Sequence, residues 1–498
     1  MFAPEKDIGA FGGDVDNFQF PRWVLDMALL RAYQDGRPAR TPTRLRFDWS
    51  GAEPGEPVFI SGHPGSTSRL LTKAQLDAQR DAFLPFWLIR VSELRGRLIQ
   101  YGKAGPEEER RAEELLGNLE NALKVRRKQL DALNDDAQLE RRAVEEVALA
   151  AAMAADPEFA GQADAYERIA AAQQVYRDIV VRHSFLEGAV GFGSELFTYA
   201  RTLLRAAAER EKPNAERLRE YSDARLPAVE RSLAAARPIY PDLERLRLSY
   251  SLERMREWLG PDDALVRELF GRDSPDTLAA RLVDGSTLGD PEARMALHAG
   301  GLAAIMASED PMIRLALAVD PESRAVRKRM EDEVEGPTRD AQATIAAARF
   351  RTLGTSVYPD ATFTLRLTFG AVAGWEEACR AIPPFTTLGQ SFDRASGRPP
   401  FRMPESWLDR LHALDLETPF NFVATLDITG GNSGSPIVDA RGDIVGLAFD
   451  GNIHSIAGDY WYDPATNRAV GVDVRAMREA LDKIYGARAL LEEMDRRR

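Results

Sequence analysis

The hydrophobic period of this chain changes twice, and that change limits the folds open to it. Residues 1 to about 70 hold short apolar segments separated by turn formers, among them RLRFDWSG and EPVFISGHPGST, a pattern of β-strands cut by Gly and Pro. From about 70 to 350 the segments lengthen and fill with Ala, Leu, Glu and Arg. In ERRAEELLGNLENALKVRRKQLDAL, Leu115, Leu116, Leu119 and Leu123 recur at helical spacing. Alternation returns from 351 to about 475: in DATFTLRLTFGAVAGW, Phe363, Leu365 and Leu367 share one strand face opposite Thr364, Arg366 and Thr368. RAMREALDKIYGARALLEEM then reads as a closing amphipathic helix.

The fold class is therefore α+β. A helical block between two β blocks is best explained as an insertion into one β domain, with two independent β units as the alternative. The expected divisions are 1–70, 71–350 and 351–498. The helical block is broken at YGKAGPEEE, EKPN and RPIYPD and its charges alternate in sign. Those features suit a compact multi-helix bundle rather than a coiled coil or a membrane-surface helix.

Composition excludes some functions. The 498 residues carry a net charge of -13, which argues against a nucleic-acid partner, since phosphates are held by clustered Lys and Arg. No apolar stretch has the length of a membrane span, so no membrane insertion is expected, and the start MFAPEKDIGAFGG lacks the features of a secretory signal. Cys379 is the single cysteine. No His or Cys cluster has ligand spacing and no glycine-rich strand-to-helix loop suits a nucleotide, so neither a metal nor an organic cofactor is expected.

One stretch carries chemistry. DITGGNSGSP encloses Ser433 between glycines and ends on Pro436. Acyl transfer needs a nucleophile on a tight turn with backbone N–H groups aimed at the developing oxyanion, and Gly431 and Ser433 can supply them. The same residues also suit a glycine-rich hairpin turn. Upstream, Asp26 precedes the apolar run Met27–Leu30, read as a strand. The order Asp then Ser matches chymotrypsin-type triads, in which a histidine comes first; an acid there also suits an ordinary turn.

FAPEKDIGAFGGDVDNFQFPRW, GTSVYPDATFTLRLTFGAV and ITGGNSGSPIVDARGDIVGLAFDGN resemble the bacterial dipeptidyl-peptidase 7 and dipeptidyl-peptidase 11 family of serine peptidases. The resemblance implies a chymotrypsin-like double β-barrel with a large inserted helical domain, the first barrel being incomplete here. It implies Asp26 as triad acid, Ser433 as nucleophile, and Gly431 and Ser433 as oxyanion donors. Asn17 and Asp450 would hold the substrate's free amino group, with Phe18 where the family usually has tryptophan. Asn118 is the candidate for a second amine-binding Asn from the helical domain. Gly451 takes the place of the residue that selects the side chain before the cut, and glycine there implies an apolar preference. Asp450 and Gly451 suit a plain turn equally well.

The activity so implied is release of dipeptides from peptides with a free N-terminus. A homodimer and, for the complete protein, a periplasmic or cell-surface location are further expectations. The family's histidine has no counterpart among His63, His183, His298, His412 and His454. The chain is accordingly expected to be the later part of a longer peptidase and inactive alone. Two rival readings are a pseudo-enzyme that binds peptide N-termini without cleavage and a helical scaffold for partner proteins.

Overall fold

The structure, a computed structural model, describes residues 1–41 and 43–495. Its residues group into two compact units. One comprises Met1–Leu71, Lys124–Ala132 and Val357–Arg498; the other comprises Thr72–Leu123 and Leu133–Ser356.

The first unit is built on a seven-stranded sheet of β1 (Pro57–Gly62), β2 (Arg366–Ala371), β3 (Phe385–Thr387), β4 (Pro419–Ala424), β5 (Pro436–Val438), β6 (Ile444–Gly451) and β7 (Ala469–Asp473). The order is β2-β1-β5-β6-β7-β4-β3 and every pairing is antiparallel. Thr425 N–H donates to Ala371 O (2.9 Å) and Ala373 N–H to Val423 O (3.2 Å), and Val372 bridges Ala424. Strand β2 thereby meets β4, and six strands close a circuit, which removes the exposed edges of an open sheet. Val58, Ile60, Phe422, Ala424, Ile437, Val445 and Ala448 fill its interior.

Strand β1 comes from the N-terminal segment and pairs between β2 and β5. The other pairings among the described residues of that segment are the ribbon Tyr33–Gln34/Arg37–Pro38 and the bridges Phe2 to Leu29, Phe47 to Ile444 and Ser66 to Thr362. RLRFDWSG thus contributes one bridge rather than a strand, and Met27–Leu30 after Asp26 is irregular apart from Leu29. One closed circuit of strands is present among the described residues, not two.

Strand β2 and the residues leading into it depart from the usual arrangement. Phe363, Leu365, Leu367 and Phe369 are 66–72% exposed, while Arg366 and Thr368 are half-buried. The alternation is as read from the sequence, but its apolar side faces outward. The C-terminal segment also differs from the single helix expected: Val474–Glu479 continues through a π turn to Ile484, Gly486 adopts φ +58°, and a second helix runs over Arg488–Asp495. A residue in the left-handed region ends a helix, and glycine occupies it without steric cost.

The second unit is helical, with α1 (Leu84–Gly102), the first part of α2 (Pro106–Leu133), α3 (Ala165–Leu186), α4 (Glu195–Arg210), α5 (Pro241–Leu259) and α6 (Pro311–Met330) among its longer helices. Breaks fall at Gly102–Pro106, after Arg210 and before Pro241, because proline starts helices and cannot continue them. Phe185, Phe192, Leu248, Met255 and Ile313 form part of its core. Arg205, 3% exposed, lies within it, bonded to both Glu187 oxygens (2.8 and 2.6 Å) and to Asp320 (2.8 Å). No helix of the described residues is long and apolar enough to cross a membrane.

Candidate active site

The Ser433 turn joins Thr429 to β5 and is shaped by its own backbone. Asn432 N–H donates to Thr429 O (3.1 Å), the buried Asn432 side chain accepts from Thr429 N–H (3.2 Å), and Ser435 N–H donates to Asn432 O (2.9 Å). Gly434 N–H donates to Ala448 O (2.7 Å) and Ala448 N–H returns to Ser435 O (2.9 Å), which rivets the turn to β6. Gly431 has φ +107°, and a Cβ there would lie 2.4 Å from His63 O and 2.9 Å from Gly65 N. Only glycine fits both the conformation and the space. Among the described residues, the N–H groups of Gly431 and Ser433 have no protein acceptor, as donors reserved for an oxyanion require. Ser433 itself is exposed.

Two residues along β6 from Ala448 stands Asp450. The pairing of β6 with β7 shifts register between Ala448 and Asp450, and such bulges re-aim the side chains beside them. The Asp450 side chain is only 6% exposed. It accepts hydrogen bonds from Arg22 Nη1 (2.6 Å), Phe18 N–H (3.0 Å) and Gly451 N–H (2.8 Å). Burial raises its carboxyl above the ordinary range, with Arg22 opposing. The same guanidinium donates to Asp16 O (2.6 Å) and lies 5.4 Å from the centre of the Phe449 ring.

Asn17 and Phe18 follow a short helical turn, Gly13–Asp16. Phe18 has φ +57°, an unusual conformation for a bulky residue, and this turns its N–H towards Asp450. Asn17 is half-buried, and its carbonyl accepts from Lys124 Nζ (3.2 Å). Asp26 is exposed, yet the protein packed around it displaces enough solvent to raise its carboxyl; Arg22 opposes that rise and the charge of Asp450 adds to it. Two carboxylates and one guanidinium leave this cluster one negative charge in excess.

Gly451 is buried, and a Cβ there would lie 2.2 Å from Ser455 Oγ. Any side chain at 451 must displace Ser455, whose hydroxyl donates to Asn452 O (2.6 Å). Asn118 is exposed on α2, in the part of that helix belonging to the helical unit. Among the described residues no histidine is hydrogen bonded to Ser433 or Asp26. His63 contributes its carbonyl beside Gly431 and its ring lies 5.9 Å from Phe363; His454 pairs with Glu377 (2.6 Å); His298 contacts Arg210 and Glu230. The described residues contain no group of three or more His, Cys, Asp or Glu that could hold a metal.

The model of the Peptidase S46 family matches residues 1–496. The chain belongs to the peptidase S46 family. An Asp/Glu-specific dipeptidyl-peptidase of Shewanella putrefaciens is 28% identical over 560 residues, covering 99% of this chain and 74% of its own length. A dipeptidyl-peptidase 7 of Capnocytophaga gingivalis is 25% identical, covering 99% and 72%. In fold, this S46 chain is similar to Porphyromonas endodontalis DPP11 in complex with the dipeptide Arg-Glu, with a TM-score of 0.79 at 22% identity over 100% of this chain and 74% of that one.

Nothing in the local sequence marks Arg22 or Lys124. Arg22 stands in PRW, five residues after Asn17, but its partner is 428 positions away. Lys124 lies in a helix rich in alternating charges, where nothing local sets it apart from Lys128.

Proposed function

We propose that this chain carries the nucleophile and the amine-binding residues of a dipeptidyl-peptidase, a serine hydrolase releasing dipeptides from peptide N-termini. The observation that carries this reading is the spacing on β6. Ala448 is bonded both ways to the serine turn and Asp450 stands two residues further on. Two strand residues span about 7 Å, as do the two residues of an extended dipeptide. A peptide whose ammonium meets Asp450 and Asn17 would present its second carbonyl to Ser433, with Gly431 and Ser433 N–H as oxyanion donors. The excess negative charge of Asp26, Asp450 and Arg22 favours an ammonium, which needs a carboxylate partner once removed from water.

Asp26 is the proposed triad acid and Gly451 leaves an uncharged place for an apolar side chain before the cut. The names of the relatives, which include Asp/Glu-specific dipeptidyl-peptidases and dipeptidyl-peptidases 7, support the reaction class. The closed strand circuit is the proposed second barrel of a chymotrypsin-like pair, with residues before β1 contributing to the first.

The second reading is a chain that binds peptide N-termini with little turnover: among the described residues no histidine is bonded to Ser433, and a serine without its base retains only what binding and the oxyanion hole supply. Titration calorimetry with Ala-Phe and its N-acetyl derivative, beside a fluorogenic Ala-Phe amide assay, tests both parts. The expected result is binding that needs the free amine, is lost in Asp450→Asn and survives Ser433→Ala, with negligible fluorescence release. Equal affinity for the acetylated peptide would remove the amine anchor. Rapid release abolished by Ser433→Ala would remove the inactivity.

A further inference from the structure

Within the 28-residue helix α2, only Lys124–Ala132 groups with the β unit, and two side chains of that stretch hold it there. Lys124 Nζ donates to the carbonyls of Asp14 and Asn17 and lies 3.1 Å from the Asp14 carboxylate. An ammonium has three donors, and this one has three partners, all on the turn that ends in Asn17. Gln129, 4% exposed, accepts from Arg126 (2.8 Å) and donates to Asp459 Oδ2. The other Asp459 oxygen lies 3.4 Å from Thr429 Oγ1 at the start of the serine turn.

Five helical residues turn through about 140° beyond one full revolution, so Lys124 and Gln129 reach towards different sides of α2. One side holds Asp14–Asn17, next to the residue whose N–H meets Asp450. The other holds Asp459 and, through it, Thr429. A conformation such as that of Phe18, with φ +57°, persists only where its surroundings over-determine it. Asp450 fixes the turn from one end, through Phe18 N–H, and Lys124 fixes it from the other.

We propose that Lys124 is a positioning residue for recognition of the peptide's free amine, with Gln129 holding α2 in the register that Lys124 needs. Lys124 touches no substrate; it sets where Asn17 and the Phe18 N–H stand relative to Asp450. The inference rests on the amine-anchor reading above and adds a residue from the helix to it.

The test is the ratio of affinities for Ala-Phe and N-acetyl-Ala-Phe, measured by calorimetry on the full chain. A wild-type preference of tenfold or more for the free amine should fall below threefold in Lys124→Met and be partly kept in Lys124→Arg. Gln129→Leu should lower the ratio in the same direction. If Lys124→Met does not fold, Lys124→Gln, which can still donate to one carbonyl, is read in its place against the same thresholds. A merely structural lysine would weaken both ligands alike, so an unchanged ratio in the folded variant overturns the inference. A wild-type ratio near one overturns the amine anchor and this inference together.

Discussion

Arg22 and Asp450 form a buried ion pair, Nη1 to Oδ2 at 2.6 Å, between side chains only 9% and 6% exposed. The acid proposed to receive a substrate's ammonium is therefore already matched by one cation. On the proposed reading, a second would be attracted by the additional charge of Asp26.

Removing one member of such a pair strands a charge in a place that water does not reach. Arg22→Met should destabilise the β unit by about 3 kcal/mol, read as a lower urea midpoint. Combining it with Asp450→Leu should recover part of the loss, because the buried carboxylate is then removed together with its partner. A single variant as stable as the parent would show that the pair is not held as described.

The serine turn depends on Gly431 more than on any neighbour. Gly431→Ala puts a methyl 2.4 Å from His63 O at φ +107°, so the turn must shift, at a cost of about 1–3 kcal/mol. Ser433 moves with it, as do the N–H groups of Gly431 and Ser433. A peptide boronate or phosphonate directed at Ser433 should bind the parent and bind the variant at least tenfold more weakly, as inhibition or calorimetry would record.

The helical unit should be acid-sensitive in a defined window. Burial alone would raise the Glu187 carboxyl, but hydrogen bonds from Arg205 and Ser323 and the charge of Arg205 hold it at about 2. Glu209, likewise buried, is held at about 2 by Lys212, the Leu218 N–H and Arg324. An unfolded Glu titrates near 4.3, so the folded value is depressed. This contribution to stability is fully present above about pH 4.3 and is lost as pH falls towards 2. Circular dichroism along an acid titration should show helix loss there, and Glu187→Gln should flatten that limb.

The outward apolar row that leads into β2 should tolerate polarity that the inward face of β1 does not. Leu365→Thr and Leu367→Thr exchange residues 67% and 66% exposed, so each should change stability by no more than about 0.5 kcal/mol. Both should lower self-association seen by light scattering, since an exposed apolar row is an aggregation hazard. Ile60→Thr, fully buried on the neighbouring strand, should cost about 2 kcal/mol or more.

Much of this molecule is legible without coordinates. The alternation that marks β2 and the Leu spacing that marks α2 depend on neighbours two to four positions apart. The serine turn is equally local: its glycines, its Asn432 and its Pro436 shape it within eight residues. The closing segment's amphipathic period is equally local and reads as one helix, but the pattern does not mark the break at Gly486, where φ is +58°, because glycine occurs inside helices as well as at their ends.

The order of β and α segments, the turn that carries Ser433 and the types of residue able to serve it are all written in the local sequence. Packing between distant segments is what turns the apolar side of β2 outward, pairs Arg22 with Asp450 and brings Lys124 to the Asn17 turn, and among the described residues it bonds no histidine to Ser433. Hydrophobic period and turn chemistry are set by residues adjacent in the chain. Ion-pair partners and exposure are set by which distant segments the closed circuit of strands brings together, and a side chain's own sequence neighbours carry no record of that.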